Sequence, residues 1–215
     1  FPLSLSDLFF NVFFISILLL VANFSVQAQV EPPDLSSNDA QVYSTHSWYF
    51  GAGQYQLDDG KSRREGVEND ALYLSGGYQW QRNGLLIGAG ISALTYDDNE
   101  EFTEEVESRG YRYDRDSDAL GYGLFGQLGY SFALKPDRTL SLDLLGGYER
   151  IWSERSISFC DDCREEDIDI EGGAFARLSL RWIISQPFTL SLNLKQFFSE
   201  SVDTGVDLTF GWTVF

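Results

Sequence analysis

Apolar and polar residues alternate along much of the chain with the two-residue period that is typical of β-strands. In residues 119–132, large apolar side chains occupy one parity and small or polar side chains the other, and only Phe125 breaks the pattern. The same alternation runs through residues 139–152 and 188–198, where the polar parity includes charged side chains. A soluble barrel would enclose its apolar face, so this pattern favours a sheet whose apolar face meets lipid and whose polar face is enclosed.

Turn signals divide the chain into eight such runs. The predicted strands are 48–57, 71–81, 84–96, 119–132, 139–152, 168–184, 188–198 and 203–215. Short connectors alternate with connectors that are mostly long and charged, and an even strand count with this alternation is typical of closed membrane barrels. We therefore predict an all-β fold, an eight-stranded antiparallel up-and-down transmembrane β-barrel, over residues 48–215.

The residues before this segment show two different compositions. An apolar run at 8–22 is followed by Val26-Gln27-Ala28, a small-residue cleavage pattern. The run is shorter than the roughly 20 residues of a membrane-spanning helix, so residues 1–28 are predicted to be a secretory signal peptide. Residues 29–47 contain Pro32 and Pro33 and no periodicity, which predicts a flexible periplasmic lead-in.

Aromatic residues are frequent near the predicted strand ends, as expected where a barrel meets the two membrane interfaces. One predicted belt, on the periplasmic side, contains Trp80, Tyr130, Phe132, Trp182 and Trp212. The other, on the outer side, contains Tyr55, Tyr96, Trp152 and Phe198.

With these strands, the Gly51-Ala52-Gly53 opening and the terminal Phe215, the segment from Trp48 resembles the small eight-stranded outer-membrane barrels. This family includes OmpX-like, opacity-like and OmpA transmembrane-domain proteins. The resemblance implies a location in the outer membrane of a Gram-negative-type envelope. It also implies contact with outer-membrane lipid and recognition of the terminal aromatic residue by the barrel-assembly machinery. Some relatives of this size modify lipid A, so an enzyme is one alternative.

Charged residues lie on the parity predicted to face inward: Asp143, Glu149, Glu171, Arg177, Arg181, Lys195 and Asp207. Antiparallel pairing through the hairpins places Asp143 opposite Arg177 and Lys195 opposite Asp207, where opposite charges attract. These four residues are predicted to form an interior ion-pair network. An eight-stranded barrel is barely wide enough for its own side chains, so they are expected to fill it, with a narrow channel for solutes or ions as the alternative.

The chain is acidic, with a formal net charge of −18, and its long loops concentrate that charge. Residues 97–118 contain ten acidic and three basic side chains, and residues 153–167 contain six and two. Such a surface disfavours nucleic acid and favours a basic or cation-bridged surface ligand. Asp114, Asp116 and Asp118 match the start of a calcium loop. Ala119 and Phe125, however, stand where the motif needs Gly and Glu, which excludes the helix-loop-helix calcium site.

Two further pairs of residues have chemistry to consider. Cys160 and Cys163 lie in one outer loop of an exported chain, which predicts a local disulfide. Ser44 and His46 share a parity, but no acidic residue is evident to orient the histidine, so the sequence predicts no catalytic residue. No motif indicates a cofactor or a metal. The sequence predicts a role in surface interaction, adhesion or envelope integrity, with the enzyme and the channel as alternatives.

Overall fold

The computed structural model describes residues 44–99, 101–110, 117–157 and 165–214. Two short helices are present in this part of the chain, α1 (Asp59–Glu65) and α2 (Glu101–Ser108). The strands are β1 (Ser44–Leu57), β2 (Val67–Arg82), β3 (Leu85–Asp98), β4 (Ser117–Ala133), β5 (Leu140–Ile157), β6 (Glu165–Ile168), β7 (Gly173–Ser185), β8 (Phe188–Phe197) and β9 (Val202–Val214).

Eight of these strands close into a barrel, and each pairs antiparallel with its neighbours. The order is β1, β2, β3, β4, β5, β7, β8 and β9, and β9 returns to pair with β1. The four-residue β6 is additional and pairs with β5 between Ser153 and Ser156. The prediction of an eight-stranded antiparallel up-and-down barrel is confirmed.

Side chains alternate between the inside and the outside of the barrel as the two-residue period requires. Leu124 and Leu128 point outward and are 54% and 56% exposed, whereas Phe125 between them is buried in the lumen. Serine, threonine and glycine occupy many of the inward positions. Neither helix of the described residues is long or apolar enough to cross a membrane.

The two ends of the barrel differ in construction. At one end the connections are brief, and Asn83 and Gly84 form a two-residue hairpin turn with φ values of 49° and 91°. Such a turn needs positive φ at both residues, which asparagine and glycine tolerate best. The opposite end carries α1, α2 and β6, and we call it the outer end because outer-membrane barrels place their long connections outside.

Several strand boundaries differ from the predicted ones. β1 begins at Ser44, so residues 44–47 belong to the barrel rather than to the lead-in, and Ser47 Oγ lies 2.8 Å from Thr213 Oγ1 on the neighbouring β9. The predicted strand 168–184 begins too early: it includes only the last residue of β6, and β7 starts at Gly173. Ile168 and Ile170 are both buried, so the two-residue period continues. The backbone nevertheless leaves the ladder in a tight turn, where Ile170 N–H donates to the Ile168 carbonyl at 2.9 Å.

Candidate functional site

The lumen towards the outer end is filled by aromatic rings. The rings of Tyr55, Tyr73, Phe125, Phe175 and Phe197 are all buried, and we call them the aromatic layer. Glycines on neighbouring strands make room for them. A Cβ at Gly90 would lie 2.5 Å from Phe125 Cζ, and one at Gly147 would lie 2.5 Å from Phe175 Cζ.

Lys195 lies at the centre of this layer and is almost completely buried. Its Nζ lies 3.1 Å from Glu149 Oε2 and donates hydrogen bonds to Tyr55 Oη at 2.7 Å and Tyr73 Oη at 3.1 Å. It also lies between 4.8 and 5.8 Å from the centroids of all five rings. A charged ammonium is thus held in a low-dielectric layer by one carboxylate, two phenols and ring faces.

Glu149 is equally buried and receives hydrogen bonds from three sides. Tyr55 Oη donates to Oε2 at 2.8 Å, and Ser92 Oγ donates to Oε1 at 2.7 Å. Glu149 is on β5 and Lys195 on β8, and β7 separates these strands. The two charges therefore meet across the lumen rather than between paired strands.

The four predicted network residues are buried, but their predicted pairings are wrong. Asp143 lies opposite Ser179, and its ionic partner is Arg181, with Nε 3.3 Å from Oδ2. Arg177 lies opposite Leu145 and donates to Gln127 Oε1 at 3.1 Å.

The second predicted pair is displaced in the same way. Asp207 lies opposite Asn193, whose Nδ2 donates to it at 2.6 Å, and Lys195 lies opposite Gly205. Both registers thus differ from the prediction by two residues. The prediction that Glu171 faces inward is wrong, because this residue is exposed and precedes the first residue of β7.

A polar chamber lies below the aromatic layer, towards the end with the short turns. It leaves a cavity of about 20 Å³. Arg177, Arg181 and Asp143 line it together with hydroxyl groups from the surrounding strands. This volume holds about one water molecule, and the aromatic layer separates the chamber from the outer end.

The outer end is organised by α1 and its contacts. Asp58 caps the helix by accepting hydrogen bonds from Gly60 N–H and Lys61 N–H, and Gly66 ends it in the left-handed conformation with φ of 71°. Lys61 pairs with Asp169, and Asp169 N–H donates to Glu65 Oε2 at 2.9 Å. These contacts join α1 to the segment between β6 and β7.

α2 is docked against the outer part of β5. Phe102 and Val106 pack with Ile157 in a small buried cluster. The guanidinium of Arg155 lies 5.6 Å from the Phe102 ring centroid and 2.9 Å from Asp98 Oδ1. The long connections are therefore folded structures at this end.

Exposed carboxylates cover the outer end. On the β5–β6 hairpin, Glu154 lies directly opposite Asp167, and Glu165 lies opposite Ser156. None of these three carboxylates lies within 4.0 Å of a basic nitrogen of the described residues. Like charges directly opposite one another are destabilising in a sheet, so folding alone gives no reason for this arrangement.

The outward face between the two ends is apolar, and its aromatic residues are grouped near both ends. Towards the short turns, Tyr130, Phe132, Trp182 and Trp212 are between 42% and 59% exposed, and Trp152 and Phe198 face outward near the outer end. Only lipid can cover so continuous an apolar surface on a closed barrel. The protein is an outer-membrane β-barrel. This architecture places it in the outer membrane of a Gram-negative-type envelope, in contact with that membrane's lipid.

Two members of the predicted outer belt are wrongly placed. Tyr55 and Tyr96 are buried in the lumen rather than facing lipid. Inward glycines leave room for both rings, since a Cβ at Gly205 would lie 2.6 Å from Tyr55 and one at Gly121 would lie 2.7 Å from Tyr96 Oη.

No family model and no curated protein matches the chain. Among solved structures, it is similar to Neisserial surface protein A, at 9% identity over 80% of this chain and 98% of that one, with a TM-score of 0.44. It is also similar to Ail, the attachment invasion locus protein of Yersinia pestis, at 11% identity over 80% and 97%, with a TM-score of 0.46. A third is a major outer membrane protein from Thermus thermophilus, at 10% identity over 80% and 100%, with a TM-score of 0.48. These similarities concern the fold and transfer no functional residue to this chain.

Ser44 and His46 do not contact each other as a nucleophile and its base would. Ser44 Oγ accepts a hydrogen bond from Trp80 Nε1 at 3.1 Å, and His46 Nδ1 contacts Tyr78 Oη. Each side chain thus has another partner near the start of β1, at the end of the barrel with the short turns. Within the described residues, no group of three or more His, Cys, Asp or Glu side chains is arranged to hold a metal ion.

Other predictions concern residues outside the described ranges. These are the signal peptide 1–28, the lead-in over 29–43, the Cys160 to Cys163 disulfide, the acidic pair Asp114 and Asp116, and the terminal Phe215. They stay predictions.

Proposed function

We propose that this outer-membrane barrel acts in surface interaction, with its acidic outer end as the binding surface for a basic or cation-bridged partner. The observation that carries the proposal is the β5–β6 hairpin, where Glu154, Glu165 and Asp167 are exposed without basic partners among the described residues. Like charges so close together cost stability, and a basic partner would relieve that repulsion.

The interior supports the same proposal. Five aromatic rings and the pair formed by Lys195 and Glu149 fill the lumen below the outer end. A barrel filled in this way favours a role for its outer surface over the alternative of a narrow channel. The contacts of Ser44 and His46 give no support to the alternative of a lipid A-modifying enzyme. Envelope integrity is a role that the same surface could serve by bridging cations.

The test uses a synthetic lysine-rich peptide and the barrel folded in uncharged detergent. The double variant Glu154→Gln with Asp167→Asn removes two charges and keeps the side-chain shapes. We expect weaker binding by this variant, and binding to the unaltered barrel should weaken as salt rises, because salt screens exposed charges beyond about 10 Å at 0.1 M.

Asp137 offers a matched control at the opposite end of the barrel. Hydrogen bonds from the Thr139 N–H and hydroxyl group lower the pKa of this exposed carboxyl group, so it is charged at neutral pH. Asp137→Asn should leave peptide binding unchanged. Asp167→Asn alone removes one charge, as Asp137→Asn does, so equal loss in these two variants would mean that net charge alone attracts the peptide. No loss in the double variant would remove the outer end as the site.

A further inference from the structure

Arg177 carries a buried charge without a carboxylate beside it. The side chain is 7% exposed, and its polar neighbours are neutral: it donates to Gln127 Oε1 at 3.1 Å and lies close to the Tyr49 hydroxyl group. No carboxylate of the described residues lies within 4.0 Å of it, and its Nε has no acceptor. Burying a charged group without a counter-ion costs several kcal/mol, and buried donors are nearly always satisfied by protein, water or an ion.

The carboxyl groups of Asp143 and Asp207 each have another partner in the lumen. Asp143 is bound by Arg181, whose Nε lies 3.3 Å from Oδ2 and whose Nη2 lies 3.4 Å from Oδ1. Asp207 accepts from Asn193 at 2.6 Å and does not line the chamber. With two guanidinium groups and one carboxylate, the chamber has a formal charge of +1.

The cavity beside Arg177 is small and surrounded by hydroxyl groups. It measures about 20 Å³, and its hydroxyl groups come from Ser47, Ser179, Thr189, Ser191 and Thr209. A hydroxyl group can rotate to donate to an anion. Tyr49 also lines the cavity, and its hydroxyl group lies close to Arg177. The space exceeds the roughly 10–15 Å³ that one water molecule needs, so it has room for one small ligand.

We propose that this chamber binds one small monovalent anion of the size of chloride, held by Arg177 and the surrounding hydroxyl groups. The anion would supply the counter-charge that Arg177 lacks and would accept a hydrogen bond from Arg177 Nε, which has no other acceptor. The inference concerns the interior and does not depend on the proposed role of the outer end.

Bromide provides a direct probe, because its anomalous scattering distinguishes it from water. Crystals of the full chain, folded in detergent and grown with sodium bromide, should show an anomalous peak in the chamber beside Arg177. Diffraction data that show water there and no bromide would overturn the proposal.

Stability in solution provides a second measurement that needs no crystal. An anion that binds only the folded state stabilises it. At equal ionic strength, the midpoint of urea unfolding should therefore be higher in chloride or bromide than in gluconate. Gluconate serves as the control because it is too large for the cavity. Equal midpoints in all three salts would contradict the proposal.

Variants of Arg177 test whether this residue is responsible for the stabilisation by chloride. In Arg177→Gln the difference between chloride and gluconate should disappear, corresponding to a loss of affinity of more than about tenfold. The control Arg63→Gln, on the exposed face of α1, should keep the full difference. If Arg177→Gln does not fold, Arg177→Lys replaces it in the test. This variant retains a positive charge, so we expect a smaller difference between the urea midpoints in chloride and gluconate. A salt difference that persists unchanged in the folded Arg177 variant would place the anion elsewhere.

Discussion

The pairing of Lys195 with Glu149 gives the sharpest test of the interior. Both side chains are essentially inaccessible, and Nζ lies 3.1 Å from Oε2. Replacing Lys195 by Met removes the positive charge and leaves Glu149 buried without its counter-ion. Removing one member of a buried ion pair costs about 3–5 kcal/mol, so Lys195→Met should reduce the folding equilibrium constant by about two to four orders of magnitude.

The double variant decides whether the two residues act as a pair. Glu149→Gln alone leaves the ammonium uncompensated, although Tyr55 and Ser92 can still donate to the amide oxygen. When both charges are removed, no uncompensated charge remains. The double variant should therefore be more stable than the sum of the two single losses implies, by about 1–3 kcal/mol.

The measurement is reversible urea unfolding of the barrel in phosphatidylcholine vesicles, followed by tryptophan fluorescence. The gel mobility of unboiled samples shows separately whether each variant has folded. A control cycle uses Lys61→Met and Asp169→Asn at the outer end, where the carboxylate is 70% exposed and the coupling should be at most about 1 kcal/mol. Losses at Lys195 and Glu149 that simply add would refute the pairing across the lumen.

Two further predictions test the packing and the lipid face. Gly205→Ala would place a Cβ 2.6 Å from the Tyr55 ring, so it should cost about 1–3 kcal/mol of unfolding free energy, whereas Gly126→Ala meets no atom within 4 Å and should cost much less. Equal costs in urea unfolding would contradict this account of the aromatic layer. Leu128→Arg places a charge on the lipid face and should lower stability in vesicles by about 2–4 kcal/mol, whereas Glu154→Arg, near the outer end, should cost about 0–1 kcal/mol. Similar losses for these two would mean that Leu128 does not face the bilayer core.

The strands could be predicted because each one carries its own alternation. Leu120, Leu124 and Leu128 fix the outward parity of β4 without reference to any other strand. The belts were harder to predict. A tyrosine at a strand end faces either lipid or lumen, and which it does depends on whether a neighbouring strand supplies a glycine. For Tyr55 that glycine is Gly205, which is 150 residues away in the sequence and adjacent only after the barrel closes.

The interior pairings could not be predicted because they depend on register and on contacts across the lumen. Counting back from the middle of a loop assumes that both strands leave the ladder together. In the protein, β5 continues to Ile157 and its outer part pairs with β6, so the partner of Asp143 moves from Arg177 to Ser179. The contact of Lys195 with Glu149 joins strands that are not paired at all. Alternation correctly placed both residues inward but gave no information on which charges meet there.

The position of Lys195 and Glu149 within the aromatic layer also limits which part of the barrel can bind or transport a ligand. The ring contacts of Lys195 come from β1, β2, β4, β7 and β8, and Glu149 adds β5, so one ammonium links six of the eight barrel strands. A solute crossing the lumen would have to displace these contacts together and expose the buried charges of both residues. The outer end, by contrast, can bind and release a partner without disturbing any of them. A surface role is therefore compatible with a rigid, filled barrel, whereas transport would require breaking the interactions that hold it closed.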